Sequence, residues 1–367
     1  MKLITIVGAR PQFVKAAMVS RAIYQYNRQH PELPIEETLL HTGQHYDANM
    51  SQIFFQEMAI PMPTWQLHCG NSSHGAMTGQ MLIEMEPIFV QHQPDAVLVY
   101  GDTNSTLAGA LTAAKLHIPV VHVEAGLRSF NREMPEEVNR VLTDHLATLL
   151  CCPTEAAIHH LQHEGITEGV HAVGDVMYDA ALLFGEIAKR QVDVLQRLHL
   201  KADGFRLCTI HRAENTDHPE RLRAILDALE QMASVDCPVV WPLHPRTRRC
   251  LERYQWLHRL QQTPGLCLCE PLSFLEMVRL EQSANTILTD SGGVQKEAYF
   301  HRTPCITLRD ETEWVETVTA GWNQLAGADT ARILSSLANQ PVKQEISEYG
   351  TGHAAERIVE LVARLIG

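Results

Sequence analysis

The sequence predicts an α/β protein of two Rossmann-like, doubly wound parallel-sheet domains facing across a cleft, and three observations carry that prediction. Short apolar runs alternate with longer amphipathic segments of period near 3.6 from one end to the other. Most runs end in small or polar residues, as parallel strands do where ligands bind. The 367 residues are long for one core and comfortable for two domains.

Taken in order, strands are expected at Leu3–Val7, Glu37–His41, Ala96–Tyr100, Pro119–Val123 and Leu149–Cys152. A second series covers Arg206–Ile210, Pro238–Pro242, Leu266–Cys269, Thr286–Thr289 and Cys305–Leu308. Between them, helical spacing appears over Phe13–Tyr26, Gly75–His92, Ser105–Leu116, Pro135–Leu150 and Glu220–Ala233. These elements divide into a first domain over 1–171 and a second over 172–351, with polar, helix-like Gly185–Asp203 as the connection. The terminal segment places Ile358, Leu361, Val362 and Leu365 on one helical face, so residues 352–367 are expected to pack back on the first domain.

Bulk charge narrows the partners. Forty-three acids against 30 Lys and Arg give a net charge of −13, which repels nucleic acid and anionic membranes. No apolar run approaches the roughly 20 residues of a membrane span, and the N-terminus lacks a signal-type apolar region, so a cytoplasmic protein is expected. The nine cysteines show no CxxC spacing and the histidines no HExxH; reduced thiols and no metal site are expected.

Polar residues at the strand ends carry the chemistry. In the first half the exits read Gly8-Ala9-Arg10-Pro11, Thr42-Gly43-Gln44-His45, Gly101-Asp102-Thr103-Asn104 and Glu124-Ala125-Gly126. In the second they read His211-Arg212-Ala213-Glu214, His244-Pro245-Arg246 and Asp290-Ser291-Gly292-Gly293. The Ser291-Gly292-Gly293 turn ends a strand and opens a helix. Its free N–H groups and the helix dipole favour a phosphate, and Glu297, one turn on, is placed to accept from a ribose diol. A plain strand-to-helix turn capped by Ser291 explains the turn alone, but not Glu297 and Arg246 beside it. Neither G-x-G-x-x-G nor a Walker A sequence follows a strand, so neither NAD nor ATP chemistry is expected and no cofactor is assigned.

Asp102, Glu124 and Glu136 form a second constellation. Asp102 and Glu124 close adjacent strands; Glu136 follows Pro135 at a helix start, with Arg140 one turn on, able to hold it ionised. Three carboxylates in a cleft that also binds phosphate suit proton transfers at a sugar ring.

Eight motifs then resemble one family in register. They are Gly-Ala-Arg-Pro-Gln-Phe-Val-Lys (8–15), Thr-Gly-Gln-His-Tyr-Asp (42–47), Gly-Asp-Thr-Asn-Ser-Thr-Leu-Ala (101–108) and His-Val-Glu-Ala-Gly-Leu-Arg-Ser (122–129). Met-Pro-Glu-Glu-Val-Asn-Arg (134–140), Thr-Ile-His-Arg-Ala-Glu-Asn (209–215), His-Pro-Arg (244–246) and Asp-Ser-Gly-Gly-Val-Gln-Lys-Glu (290–297) continue the series. Over essentially the full chain the sequence is similar to the non-hydrolysing UDP-N-acetylglucosamine 2-epimerases. That resemblance implies a GT-B arrangement, a UDP-sugar substrate held by its UDP on the second domain and its sugar on the first, and a homodimer. It also implies Asp102, Glu124 and Glu136 as catalytic acids, and His211, Ser291, Gly292, Gly293 and Glu297 at the nucleotide. Phe274 falls near the uracil, Arg10 and Lys15 near the diphosphate, and Arg140 beside the third acid. The chain departs from the commonest pattern at Ala9, Gln12 and Phe13, and again at 44–47, where family members help bind a regulatory UDP-N-acetylglucosamine. The Gly-Ala-Arg-Pro-Gln-Phe form looks similar to members acting on more decorated sugars, including UDP-2,3-diacetamido-glucuronic acid. Rival readings are a GT-B glycosyltransferase and a nucleotide-sugar binding protein without turnover.

Overall fold

Each sheet is built from parallel β–α–β steps that start in the middle and turn back once. The computed structural model describes residues 1–44, 58, 60–70 and 72–366, without the side chains of Arg10 and Ile366. The first sheet holds β1 (Lys2–Val7), β2 (Glu36–His41), β3 (Trp65–Gln66), β4 (Ala96–Tyr100), β5 (Val120–Val123), β6 (Leu149–Cys152) and β7 (Val170–Ala172). All run parallel, in the order β3-β2-β1-β4-β5-β6-β7. The second holds β8 (Arg206–Thr209), β9 (Val239–Pro242), β10 (Leu266–Cys269), β11 (Thr286–Thr289), β12 (Cys305–Thr307) and β13 (Asn323–Leu325). It too is parallel, in the order β10-β9-β8-β11-β12-β13. Both orders reverse once, between β1 and β4 and between β8 and β11. The crevice beyond the strand ends at such a reversal is where open α/β sheets bind ligands.

The central strands are nearly continuous apolar runs because helices cover both faces. All five residues of β4 are buried. Ile4, Ile6, Val97 and Val99 pack against Met81, Met85 and Phe89 of the helix His74–His92. In the second sheet Leu226, Trp241, Leu288 and Ile306 fill one face, and Leu207, Val240, Leu280 and Ile287 the other. The strands absent from the sequence reading are β3, β7 and β13, each two or three residues long and at least partly exposed. All three are sheet edges, where short, half-solvated strands carry little apolar signal. The helix expected to run to Leu150 stops at Leu146, because Leu149 already belongs to β6.

Two compact units emerge: Met1–Ala180 with Ser347–Gly367, and Ala181–Ile346. The chain passes from one to the other inside the helix Val176–Gln191, upstream of the Gly185–Asp203 stretch. That stretch belongs to the second unit because Val192, Val194, Leu195 and Leu198 pack on the cluster around Phe205 and Leu280. All nine cysteines are free thiols; Cys267 and Cys269 lean on that same cluster.

The terminal helix Ala354–Ile366 packs on the helix Arg10–Gln29 and buries Ile358, Val359 and Val362. Its start is held by the Asp179 carboxylate, which accepts from Ala354 N at 3.1 Å and Ala355 N at 2.8 Å. Burial, and then the neighbouring Asp175, push the Asp179 pKa from 3.8 up to about 6, against those two bonds. The native state therefore holds the proton more tightly than the unfolded chain. This contribution to stability is complete below pH 3.8 and lost as pH rises through about 6. Urea titrations from pH 4 to 7 should show that slope, at most about 3 kcal/mol, and Asp179→Ala should flatten it.

Candidate active site

In the first unit, the turns after β1, β4 and β5 are drawn together at the reversal of strand order. Gln12 does much of this. Its side-chain oxygen accepts from Gly8 N at 2.8 Å and Ala9 N at 3.0 Å. Its amide nitrogen donates to Tyr100 O at 2.8 Å and to the Thr103 and Thr106 hydroxyls at 3.0 Å. With Gln12 only 1% exposed, truncation would orphan several buried polar groups. Gln12→Ala should lower unfolding free energy by roughly 2–4 kcal/mol in a denaturant titration, since each unsatisfied group costs about 1–3.

Asp102 and Glu124 stand at the exits of the paired strands β4 and β5. Lys15, on the first helix, reaches Glu124 as a nearly buried ion pair. Arg140 reaches Asp102. Burial raises the Asp102 pKa above the ordinary carboxylate value; Arg140 opposes the rise and the Glu124 charge adds to it. A third of the Asp102 side chain, 33%, nevertheless stays open to a ligand. Glu124 adopts φ 71°, a left-handed backbone that costs a non-glycine residue of order 1–3 kcal/mol and is concentrated at functional sites. The N–H groups of Glu124 and Ala125 both donate to Cys151 O at 3.1 Å, which holds the turn. Gly101 has φ 62°, and a Cβ there would lie 3.3 Å from the Glu124 carboxylate and 3.5 Å from Lys15 Nζ. Glycine lets the Glu124–Lys15 pair sit against the backbone beside Asp102.

Glu136 lies in the first turn of the helix Pro135–Leu146 and is exposed. Arg140 does not pair with it, contrary to the expectation from spacing; its guanidinium turns to Asp102 and, at 3.0 Å, to Glu137. The reason is that Glu137 is the inward acid, 2% exposed, accepting from Ser129 N, the Ser129 hydroxyl and Phe130 N at 2.9–3.0 Å. The helix docks on the Asp102 turn through Asn139, which donates to Asp102 O at 2.9 Å. Glu136 shares the helical face of Asn139 and Arg140, one turn nearer the N-terminus.

In the second unit, β8 and β11 position a separate group of the residues expected from the sequence. Asp290, fully buried at the end of β11, accepts from His211 N at 3.0 Å, Arg212 N at 3.1 Å and Asn215 Nδ2 at 3.1 Å. His211 Nδ1 is 3.2 Å from the same carboxylate, and the imidazole keeps 41% of its surface exposed. Although burial opposes it, His211 and these donors hold the Asp290 pKa below the ordinary value. Ser291 stands at the N-cap of the helix Gly292–Phe300, yet its side chain makes no capping bond. Its N–H is tied back to Thr289 Oγ1 at 2.9 Å. A Cβ at Gly292 would displace the Glu313 carboxylate. Gly293 is exposed and Glu297 half-buried. Phe274 opens the helix Phe274–Ser283 and packs edge-on against Phe184, ring centres 5.2 Å apart. Arg246 is tied to Asp217 at 2.5 Å and Thr216 at 3.0 Å.

Arg10 begins the first helix, but its side chain and residues 45–47 lie outside the described residues. Sequence reasoning passed over Glu137, Asp144 and Asp290. Asp290 was legible as the last residue before the Ser-Gly-Gly turn; for Glu137, only its sequence neighbour Glu136 drew attention.

A model of the UDP-N-acetylglucosamine 2-epimerase family matches residues 28–363. A protein of Methanococcus maripaludis named a UDP-N-acetylglucosamine 2-epimerase homolog is 49% identical, with all of both chains covered. The UDP-2,3-diacetamido-2,3-dideoxy-D-glucuronate 2-epimerase of Pseudomonas aeruginosa is 48% identical, again over 100% of both. Among solved structures, the UDP-GlcNAc 2-epimerase of Methanocaldococcus jannaschii, in complex with UDP-GlcNAc and UDP, superposes with a TM-score of 0.87 at 41% identity. That match covers 99% of this chain and 100% of the other. The Neisseria meningitidis enzyme bound to UDP-GlcNAc gives 0.87 at 30% identity, covering 99% and 100%. On its fold, its motifs and these full-length likenesses, the chain belongs to the UDP-N-acetylglucosamine 2-epimerase family.

Proposed function

We propose that this chain is an isomerase that inverts C2 of a UDP-linked 2-acetamido sugar, UDP-N-acetylglucosamine to its manno epimer, without net hydrolysis. The observation that carries the reading is the pair Asp102 and Glu124, two carboxylates at neighbouring strand exits, each tied to its own cation. The hydrogen on C2 of an acetamido sugar is not adjacent to a carbonyl, so direct deprotonation is very slow. Expelling UDP from C1 while removing the C2 proton leaves a glycal with a C1–C2 double bond. UDP then adds back at C1 and a proton returns to the opposite face of C2, so atoms and charge balance over the cycle.

Residues take roles by where charge develops. Negative charge grows on the departing diphosphate, to be met by Arg10, Lys15, His211 and the helix N-terminus at Ser291–Gly293. Preorganised donors of this kind contribute roughly 3 kcal/mol each. Glu297 accepts from the ribose and Phe274 lies along the uracil. Asp102 and Glu136 transfer protons on the two faces, while Glu124 stabilises positive charge at C1 and Arg140 orients Asp102. In this reading the first unit, with the terminal helix, handles the sugar and the second holds UDP. The enzyme works in the cytoplasm as a homodimer; among the described residues no helix is long and apolar enough to cross a membrane.

A second substrate has a specific observation in its favour, the 48% identical Pseudomonas relative named for UDP-2,3-diacetamido-glucuronate. The same chemistry applies to it unchanged. The test is incubation of the pure protein with each sugar in D₂O. Epimerisation puts deuterium at C2 and yields the C2-inverted product. Unlabelled sugar in both arms refutes the proposal, free UDP in quantity points to hydrolysis, and turnover only after adding an acceptor points to transfer.

A further inference from the structure

We infer that His122 and Asp144 are a buried positioning pair that holds Asp102 and Glu124 in fixed register for the reaction proposed above, on which this inference rests. His122 lies on β5, two residues before Glu124, and is fully buried. Its Nδ1 is 2.6 Å from Asp144 Oδ1 and its Nε2 is 2.7 Å from Gly101 O. Gly101 immediately precedes Asp102. The other Asp144 oxygen accepts from Gly126 N at 3.1 Å and from Arg128 NH1 at 2.6 Å, and Gly126 follows Glu124 by two residues. One ring and one carboxylate therefore join the turn that carries Asp102 to the turn that carries Glu124.

Both ring nitrogens face acceptors, an Asp144 oxygen and a backbone carbonyl, so making both bonds requires a hydrogen on each. Asp144 lies between that ring and Arg128. Burial alone would raise its pKa, but His122 and Arg128 hold it below the ordinary value. Arg128 continues to Glu164, at 2.7 and 2.8 Å, so one buried guanidinium joins two carboxylates. Buried ion pairs are poor devices for stability alone, because desolvation offsets their attraction. What the His122–Asp144 pair does achieve is geometric. The β4–β5 ladder ends at Tyr100 opposite Val123, so both acids project beyond its register. A misplacement of about 1 Å at a reacting group can cost roughly 10²-fold in rate. Neither residue touches the sugar; both act through the groups they hold.

The experiment compares the intact protein with Asp144→Asn and Glu164→Gln, using whichever of the two UDP-sugars the wild type turns over. Asp144→Asn is expected to lower kcat about 10²-fold, with KM and the UDP dissociation constant within about threefold. Glu164→Gln cuts the outer end of the same network and should lower the melting temperature while leaving kcat within about twofold. A folded Asp144→Asn enzyme with near wild-type kcat overturns the inference. So does an equal fall in kcat from both variants, which marks general destabilisation. Should Asp144→Asn fail to fold, ¹⁵N spectra of imidazole-labelled wild type decide, with His122 identified by its loss in His122→Gln: two ring N–H groups support the pair and one overturns it. A wild type that turns over neither sugar defeats the epimerase reading and this one with it, whereas an active wild type matched by Asp144→Asn defeats this one alone.

Discussion

Asp102→Asn is expected to reduce epimerisation by about 10²–10⁴-fold, the range general acid–base catalysis contributes, while UDP binds as before. Asparagine matches aspartate in shape and its oxygen still accepts from Arg140, so the turn after β4 and its bond from Asn139 to Asp102 O should persist. It cannot take up or release a proton. The direction of the Asp102 shift gives a second readout. Its pKa is raised, by burial first and by Glu124 as well, so the ionised form appears only above the ordinary carboxylate range. If Asp102 removes the C2 proton, turnover falls as pH drops through that raised value, and this limb disappears in the variant. Isothermal titration with UDP and a kcat profile across pH 4–9 make the test. Lost UDP affinity would refute the division of labour between the units, and a kcat within fivefold of wild type would remove Asp102 from the chemistry.

Glu297→Ala should act on the opposite half of the substrate, raising the UDP dissociation constant by about 10²-fold. A carboxylate that accepts from both hydroxyls of a ribose makes two charge-assisted bonds, each contributing about 1.5–3 kcal/mol when the partner is also desolvated, and water recovers part of that in the variant. The residue sits one turn into the helix Gly292–Phe300, half-buried, so truncation removes the acceptor without opening the core. At saturating UDP-sugar, kcat should change less than affinity does, because the ribose is remote from C1 and C2. An unchanged UDP dissociation constant takes Glu297 out of the nucleotide site.

The two substitutions separate what one assay would merge. Asp102→Asn tests proton transfer with binding as the control. Glu297→Ala tests binding with saturated turnover as the control. Gln12→Ala should disturb folding as well as the site, because its amide joins the β1 and β4 exits rather than meeting substrate.

Much of this protein was legible before any coordinate. The ten interior or long strands could be read from apolar runs, since a parallel strand covered on both faces must be apolar throughout. Seven of the eight motifs follow these strands and could be read because strand exits in such sheets present polar residues to ligands; the eighth, 134–140, opens the helix Pro135–Leu146. From these came the fold class, the family and the residues whose roles are proposed here. What sequence spacing could not decide was pairing. On the helix Pro135–Leu146, spacing offered Arg140 to Glu136; the packed structure gave it to Asp102 and Glu137, because the helix turns Glu137 inward and docks Asn139 on the Asp102 turn. The left-handed turn at Glu124, held by Cys151 O, and the link from Gly101 through His122 to Asp144 were equally invisible, as their hydrogen bonds join residues more than 20 apart in the chain. Periodicity and composition report the burial of each segment, which is local. Which charge meets which is decided only when several segments compete for one buried volume, and there desolvation penalises every arrangement that leaves a charge alone.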